Sequence, residues 1–184
     1  MAATSPPASA ELRSRSRLIE ACIDGSMDDI ESLLASGADV EAADEDCWTP
    51  LMAAACNARV DVVGRLLKAG ADHRAIDCDG WNALLYAVDA CSPAVVATLL
   101  AHGASVEVAT ADGWTPQHLV AREGDLEVLE VLVAGEANMS VATEEGWSPL
   151  MLAAREGHLD LIKKLVEAGA ELNALDEFGQ SALR

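Results

Sequence analysis

The segments CWTPLMAAA at 47–55, GWNALLYAV at 80–88, GWTPQHLVA at 113–121 and GWSPLMLAA at 146–154 are four versions of one phrase. Trp48, Trp81, Trp114 and Trp147 stand 33 residues apart each time, and the chain has no other tryptophan. A fixed period of this length marks a repeat array, in which each unit is one supersecondary element that needs its neighbours. The same offset links Gly37, Gly70, Gly103 and Gly169, each followed by Ala. It also links the aliphatic pairs Leu33-Leu34, Leu66-Leu67, Leu99-Leu100, Leu132-Val133 and Leu165-Val166. The period divides the chain into units 11–43, 44–76, 77–109, 110–142 and 143–175. Residues 1–10 remain as a disordered N-terminal tail and 176–184 as the start of an incomplete further unit.

Each unit has a local physical logic. Thr49-Pro50, Thr115-Pro116 and Ser148-Pro149 place a hydroxyl at an N-cap and a proline at the first helical position, where its missing N–H is no loss. A short Ala- and Leu-rich helix follows, then a break such as Arg155-Glu156-Gly157. A second helix runs over Leu159 to Glu167, with Leu159, Leu161, Ile162, Leu165 and Val166 at helical spacing. Gly169 falls where a helix ends in the left-handed conformation, and a polar turn leads to the next unit. Helices this short are marginal alone, so each pair must bury its apolar stripe against adjoining pairs.

A helix pair plus turn at this period, with TPL and GAD at fixed offsets, closely resembles the ankyrin repeat over about residues 11–184. The resemblance implies an all-α solenoid of stacked helix-turn-helix units joined by β-turn or hairpin loops. The first unit, Leu18 to Asp44, lacks TPL and is similar to an N-terminal cap with a polar outer face. Several positions depart from the pattern. Glu136 stands where the helix-ending glycine belongs, which predicts an altered exit from that helix. Gln117 replaces the Leu of the other units (Leu51, Leu84, Leu150) beside His118, the only one of the four units to keep the family's His. Asn82-Ala83 replaces Thr-Pro, and Gly64 weakens its helix by about 1 kcal/mol relative to Ala. The last unit lacks a complete neighbour over Leu161 and Leu165, so the chain is expected to continue or to be capped by something else. It should be a monomer unless that uncovered face pairs.

With 184 residues, 51% of them apolar, the chain has ample material for a core, but aromatics are only 3%, so Ala, Leu, Val and Ile must build it. Lys and Arg number 12 against 31 Asp and Glu, a formal charge of -19, and three of the cations (Arg13, Arg15, Arg17) crowd into one segment. Such a polyanion repels a phosphate backbone or an anionic membrane surface, which excludes nucleic acid as a partner. No apolar run is long enough to span a bilayer, so direct membrane insertion is excluded too. Cys22, Cys47, Cys56, Cys78 and Cys91 form an odd set without a CxxC pair, read as reduced thiols, structural or incidental, in an intracellular and cytoplasmic setting. Met1 to Arg17 lacks the apolar stretch of a secretory signal, although an organelle-import segment shares its Ala, Ser and Arg content.

Catalytic motifs are absent, His73, His102, His118 and His158 fall at different repeat positions, and no metal-ligand spacing occurs, so neither enzyme activity, a cofactor nor a metal is expected. The resemblance instead implies a protein partner on the concave surface formed by turn tips and first helices. Carried over position by position, it assigns that surface Glu45, Asp46 and Trp48, then Cys78, Asp79 and Trp81. Ala111, Asp112 and Trp114 follow, then Glu144, Glu145 and Trp147. First-helix places add Cys56 and Asn57, Asp89 and Ala90, Arg122 and Glu123, and Arg155 and Glu156. An aromatic ladder lined with acid suits a basic peptide or protein segment, each indole–cation contact being worth about 0.5–2 kcal/mol. Adjacent helices pack about 8–10 Å apart and an extended chain advances about 3.3 Å per residue, so Lys or Arg at every third position would meet successive tryptophans. The alternatives are a methyl-lysine reader, the interaction module of a longer enzyme or regulator, and a structural spacer.

Overall fold

The short helices pair, and the pairs stack in chain order. A computed structural model describes residues 17–182; the tail expected at 1–10 lies outside the described residues. Helix α1 occupies 17–24, followed by α2 (Met27–Ala35), α3 (Pro50–Cys56), α4 (Val60–Lys68), α5 (Ala83–Asp89), α6 (Pro93–Ala101), α7 (Pro116–Glu123), α8 (Leu126–Ala134), α9 (Pro149–Glu156) and α10 (Leu159–Glu167). Among the described residues no strand occurs. Helices α3, α5, α7 and α9 pack in one row, α4, α6, α8 and α10 in a second, and each helix also packs against its partner in the same unit. The molecule is thus an all-helical repeat solenoid.

The first-row helices begin where the sequence supplies an oxygen. Thr49 Oγ1 accepts from Met52 N at 3.3 Å, Ser148 Oγ from Met151 N at 3.3 Å, and Asn82 Oδ1 from Leu85 N at 3.0 Å, so the Asn-Ala variant caps as well as Thr-Pro does. Alanines at 53, 54 and 55, at 83 and 87, at 121 and at 153 are at most 1% exposed, and their small size lets neighbouring helices approach closely. Between the rows, Leu66, Leu99, Leu132 and Leu165 hold one repeat position and are all 0% exposed.

Second-row helices end in one way throughout. The N–H of Ala38, Ala71, Ala104, Ala137 and Ala170 donates back to the carbonyl of Leu33, Leu66, Leu99, Leu132 and Leu165 at 2.9–3.1 Å, closing a Schellman turn. The altered exit expected at Glu136 is therefore overturned: Glu136 adopts φ 61° and keeps the turn, because stacking on both sides dictates the path. The uncovered positions of the last unit also differ from expectation. Leu161 and Leu165 are 1% and 0% exposed because they face inward, whereas Leu159, Leu175 and Phe178 are 61–73% exposed.

His118 ties two units together. Thr115 N–H donates to its Nδ1 at 3.1 Å, and its Nε2 lies 2.9 Å from the Trp147 carbonyl, which can only accept, so the neutral ring carries its proton on Nε2. Burial pushes this imidazole down to about 4, against the opposing pull of the Trp147 and Val141 carbonyls. Beside it Gln117 is 0% exposed; its Nε2 donates to Asn138 O at 3.3 Å while Oε1 has no partner.

Two measurements follow from these placements. Gly64→Ala, in open space on α4, and Glu136→Gly, which relieves the left-handed backbone, should each raise the unfolding free energy by about 1 kcal/mol in urea titrations; a fall in either would contradict the geometry described. Because the His118 ring is neutral when folded and ordinary when unfolded, its stabilisation is full above its unfolded value of about 6.5 and is lost as pH falls toward 4. From about pH 7 to about pH 5 the native chain should lose on the order of 2 kcal/mol more than His118→Leu.

Candidate recognition face at the turns

Each tryptophan is held by a hairpin-like turn anchored on the residue four places before it. The N–H of Asp44, Asp77, Thr110 and Thr143 donates to the carbonyl of Trp48, Trp81, Trp114 and Trp147 at 2.9–3.2 Å. In return, the side-chain oxygen of each first residue accepts the tryptophan N–H: Asp44 and Asp77 at 2.9 Å, Thr110 at 3.1 Å and Thr143 at 3.2 Å. The two aspartates take a second N–H, from Asp46 and Asp79. A positive φ is required inside the turn, supplied by Gly80, Gly113 and Gly146 but by Cys47 in the first copy. Successive turns are joined where Cys78 N donates to Asp46 O at 3.1 Å and Glu144 N to Asp112 O at 3.3 Å.

All four tryptophans are half-buried and pack on the core, while Glu45, Asp46, Asp79, Asp112, Glu144 and Glu145 are exposed. The row is not uniform. Trp48 and Trp81 are bridged by Tyr86, with ring centroids at 6.0 and 5.3 Å. Trp114 and Trp147 are each covered by a guanidinium of the chain itself, Arg122 at 5.7 Å and Arg155 at 5.0 Å. Arg122 also reaches Asp89 at 2.6 Å and Glu123 at 2.7 Å, and Arg155 reaches Glu156 at 2.9 Å. The repeat position of these arginines holds Cys56 and Asp89 in the two earlier units.

The first half of the face is therefore an acidic and aromatic recess. A cavity of about 300 Å³ is lined by Asp44, Asp46, Trp48, Asp77, Cys78, Asp79 and Tyr86. The next, about 380 Å³, runs from Asp79 and Trp81 to Asp112 and Trp114 and is also lined by Arg122. Tyr86 donates its O–H to Asp77 Oδ2, and burial followed by this bond raises the phenol above its ordinary value. The Trp48 Nε1–H is buried without an acceptor.

Sequence reasoning named the tryptophans, their acids and the first-helix arginines but missed Tyr86, Asp44 and Asp77. Tyr86 is the only tyrosine and occupies a column otherwise held by Ala53, Leu119 and Leu152, which was the available signal. The cysteines divide. Cys22 is buried, and that burial pushes its thiol up to about 12, whereas Cys47 and Cys78 are exposed and in contact. Among the described residues no group of three or more His, Cys, Asp or Glu could hold a metal ion, and no helix is long and apolar enough to cross a membrane.

Comparison with known families agrees with the geometry. The family model described as Ankyrin repeats (3 copies) matches residues 18–110 and 107–176, and the chain belongs to the ankyrin repeat family. Members of this family are typically non-enzymatic modules whose general role is protein–protein interaction. Among curated proteins the search finds no match.

The Tyr86 bridge can be tested directly. Tyr86→Phe keeps the ring between the two indoles and removes only the bond to Asp77, so it should cost about 1 kcal/mol of unfolding free energy. Tyr86→Ala should cost more and shift the tryptophan fluorescence; equal stability of all three proteins would show that the bridge contributes nothing net.

Proposed function

We propose that this ankyrin-repeat chain is a non-enzymatic interaction module that binds a basic peptide or protein segment on its acidic, Trp-lined concave turn face, chiefly at the Trp48–Trp81 half. One observation supports this above the others: how the chain disposes of its own cations. Arg122 and Arg155 lie on Trp114 and Trp147 beside carboxylates, so an indole with an acid at this position is an environment that accepts a guanidinium. At Trp48 and Trp81 the equivalent positions hold Cys56 and Asp89, and the surrounding Asp46 and Asp79 are exposed. A Lys or Arg of a partner would supply what the chain omits there.

The formal charge of -19 favours a basic partner in rate, through long-range steering, while the indoles favour it in residence time. Tyr86 already stands between Trp48 and Trp81, so a Lys or Arg held by the surrounding carboxylates beside the indoles fits this recess better than a trimethylammonium that needs several ring faces around it. Methylated lysine accordingly belongs in the test as a competing ligand.

Binding of an arrayed library of basic peptides, unmodified and lysine-methylated, to the native chain should select unmodified Lys- and Arg-containing members. The double change Trp48→Ala with Trp81→Ala should weaken these roughly 10-fold or more, a loss of about 1.4 kcal/mol or greater. Asp46→Asn with Asp79→Asn should mainly slow association and flatten its salt dependence. Trp114→Ala with Trp147→Ala should have the smaller effect. Retained helical circular dichroism is the control for folding; a Trp48/Trp81 variant that folds and binds like the native chain would return the tryptophans to a packing role, and a native chain that selects no member of the library would leave a spacer role as the better account.

A further inference from the structure

Two thiols that the sequence separates by 31 residues meet at the lip of the first cavity. Cys78 donates its S–H to Cys47 Sγ at 3.3 Å, and both side chains are exposed. The main-chain bond from Cys78 N to Asp46 O, 3.1 Å, holds the two turns together beside the sulfurs. Closing the sulfurs to a bond of about 2.05 Å therefore calls for side-chain torsion and not for separation or rearrangement of the turns. Among the described residues no other two thiols are hydrogen-bonded: Cys22 is buried, and Cys91 Sγ turns to Asp89 O.

We infer that Cys47 and Cys78 are a reversible redox pair, oxidised by a low-molecular-weight disulfide to one intramolecular disulfide that locks the turn of the second unit to that of the third. The exchange balances in two steps. Cys47 loses its proton to solvent and its sulfur attacks one sulfur of the external disulfide; the external S–S bond breaks and the leaving thiolate takes up a proton. Cys78 then gives up its S–H proton and attacks Cys47 Sγ, and the mixed disulfide breaks to release the second external thiol. Two electrons and two thiol hydrogens pass from the protein to the oxidant, which becomes two thiols. Cys47 is the first attacker because the proton of Cys78 is committed to it.

The surroundings set the order of attack. The bond to Cys47, then burial, then the neighbouring charges, Asp46 and Asp77 among them, push the Cys78 thiol up to about 11, so its sulfur is protonated near neutrality and is held back for the second step. The carboxylates also attract a cationic oxidant over an anionic one. Once formed, the bond would close a long loop of the unfolded chain and so stabilise the fold.

The test uses the full chain and cystamine, a dicationic disulfide. Proteolytic mapping should find a Cys47–Cys78 cross-link, with cysteamine adducts confined to Cys56 and Cys91, and excess reductant should restore all the thiols. In a Cys56→Ser, Cys91→Ser background the cross-linked form should melt a few degrees above the reduced form. Cys47→Ser and Cys78→Ser, made separately, should each leave an adduct on the remaining cysteine, with no cross-link and no rise in melting temperature; either variant alone suffices. Adducts on both Cys47 and Cys78 of the native chain, or a cross-link that leaves the melting temperature unchanged, would overturn the inference.

Discussion

Helices of seven to nine residues cannot persist alone in water, where an isolated helix is marginal below about 12–15 residues. Every helix in this chain depends on a neighbour for its existence, and that dependence produces the architecture. The column Leu66, Leu99, Leu132 and Leu165 is sealed only because each leucine lies between its own unit and the adjoining ones. Stacking in turn fixes the phase of each unit against the last, so residues at one repeat position become a row in space. The tryptophans owe their alignment to this constraint, and so do the cations and acids around them.

Within the row, the first residue of each turn decides the local electrostatics. Aspartate at 44 and 77 accepts two main-chain N–H groups, whereas threonine at 110 and 143 accepts the tryptophan N–H alone and adds no charge. The same scaffold thus places a carboxylate at the main-chain N–H of the first two tryptophans and a hydroxyl at that of the next two. Tyr86 occupies the spare oxygen of Asp77, and Arg122 and Arg155 cover the later indoles. Two halves with one backbone geometry end up chemically different, the second alone having its indoles covered by the chain's own arginines.

Sequence patterns specified the parts that depend on local preference and periodicity. The prolines at 50, 116 and 149 start helices, and the second helix of the last unit runs from Leu159 to Glu167 as its spacing indicates. The failures share a cause. At Glu136 the local preference against a positive φ loses to packing on both sides. Arg122 was recognisable as a residue of the face, but its position on Trp114 depends on Asp89, which belongs to the preceding unit. The contact of Cys47 with Cys78 requires the register between two turns, which only the stacked units define.

Under the proposed reading, the contrast between halves also limits how much of the array a partner can use with profit. A cation arriving at Trp114 must displace Arg122 from the ring and compete for Asp89 and Glu123, so one guanidinium is exchanged for another and the gain largely cancels. At Trp48 and Trp81 the repeat position of these arginines holds Cys56 and Asp89, so the incoming charge has no guanidinium of the chain to displace from the ring. Affinity then concentrates in two units, and the remaining helices serve mainly to complete the stacking that units of such short helices require. A short basic segment with its cations close together fits this face better than a long one that follows all four tryptophans.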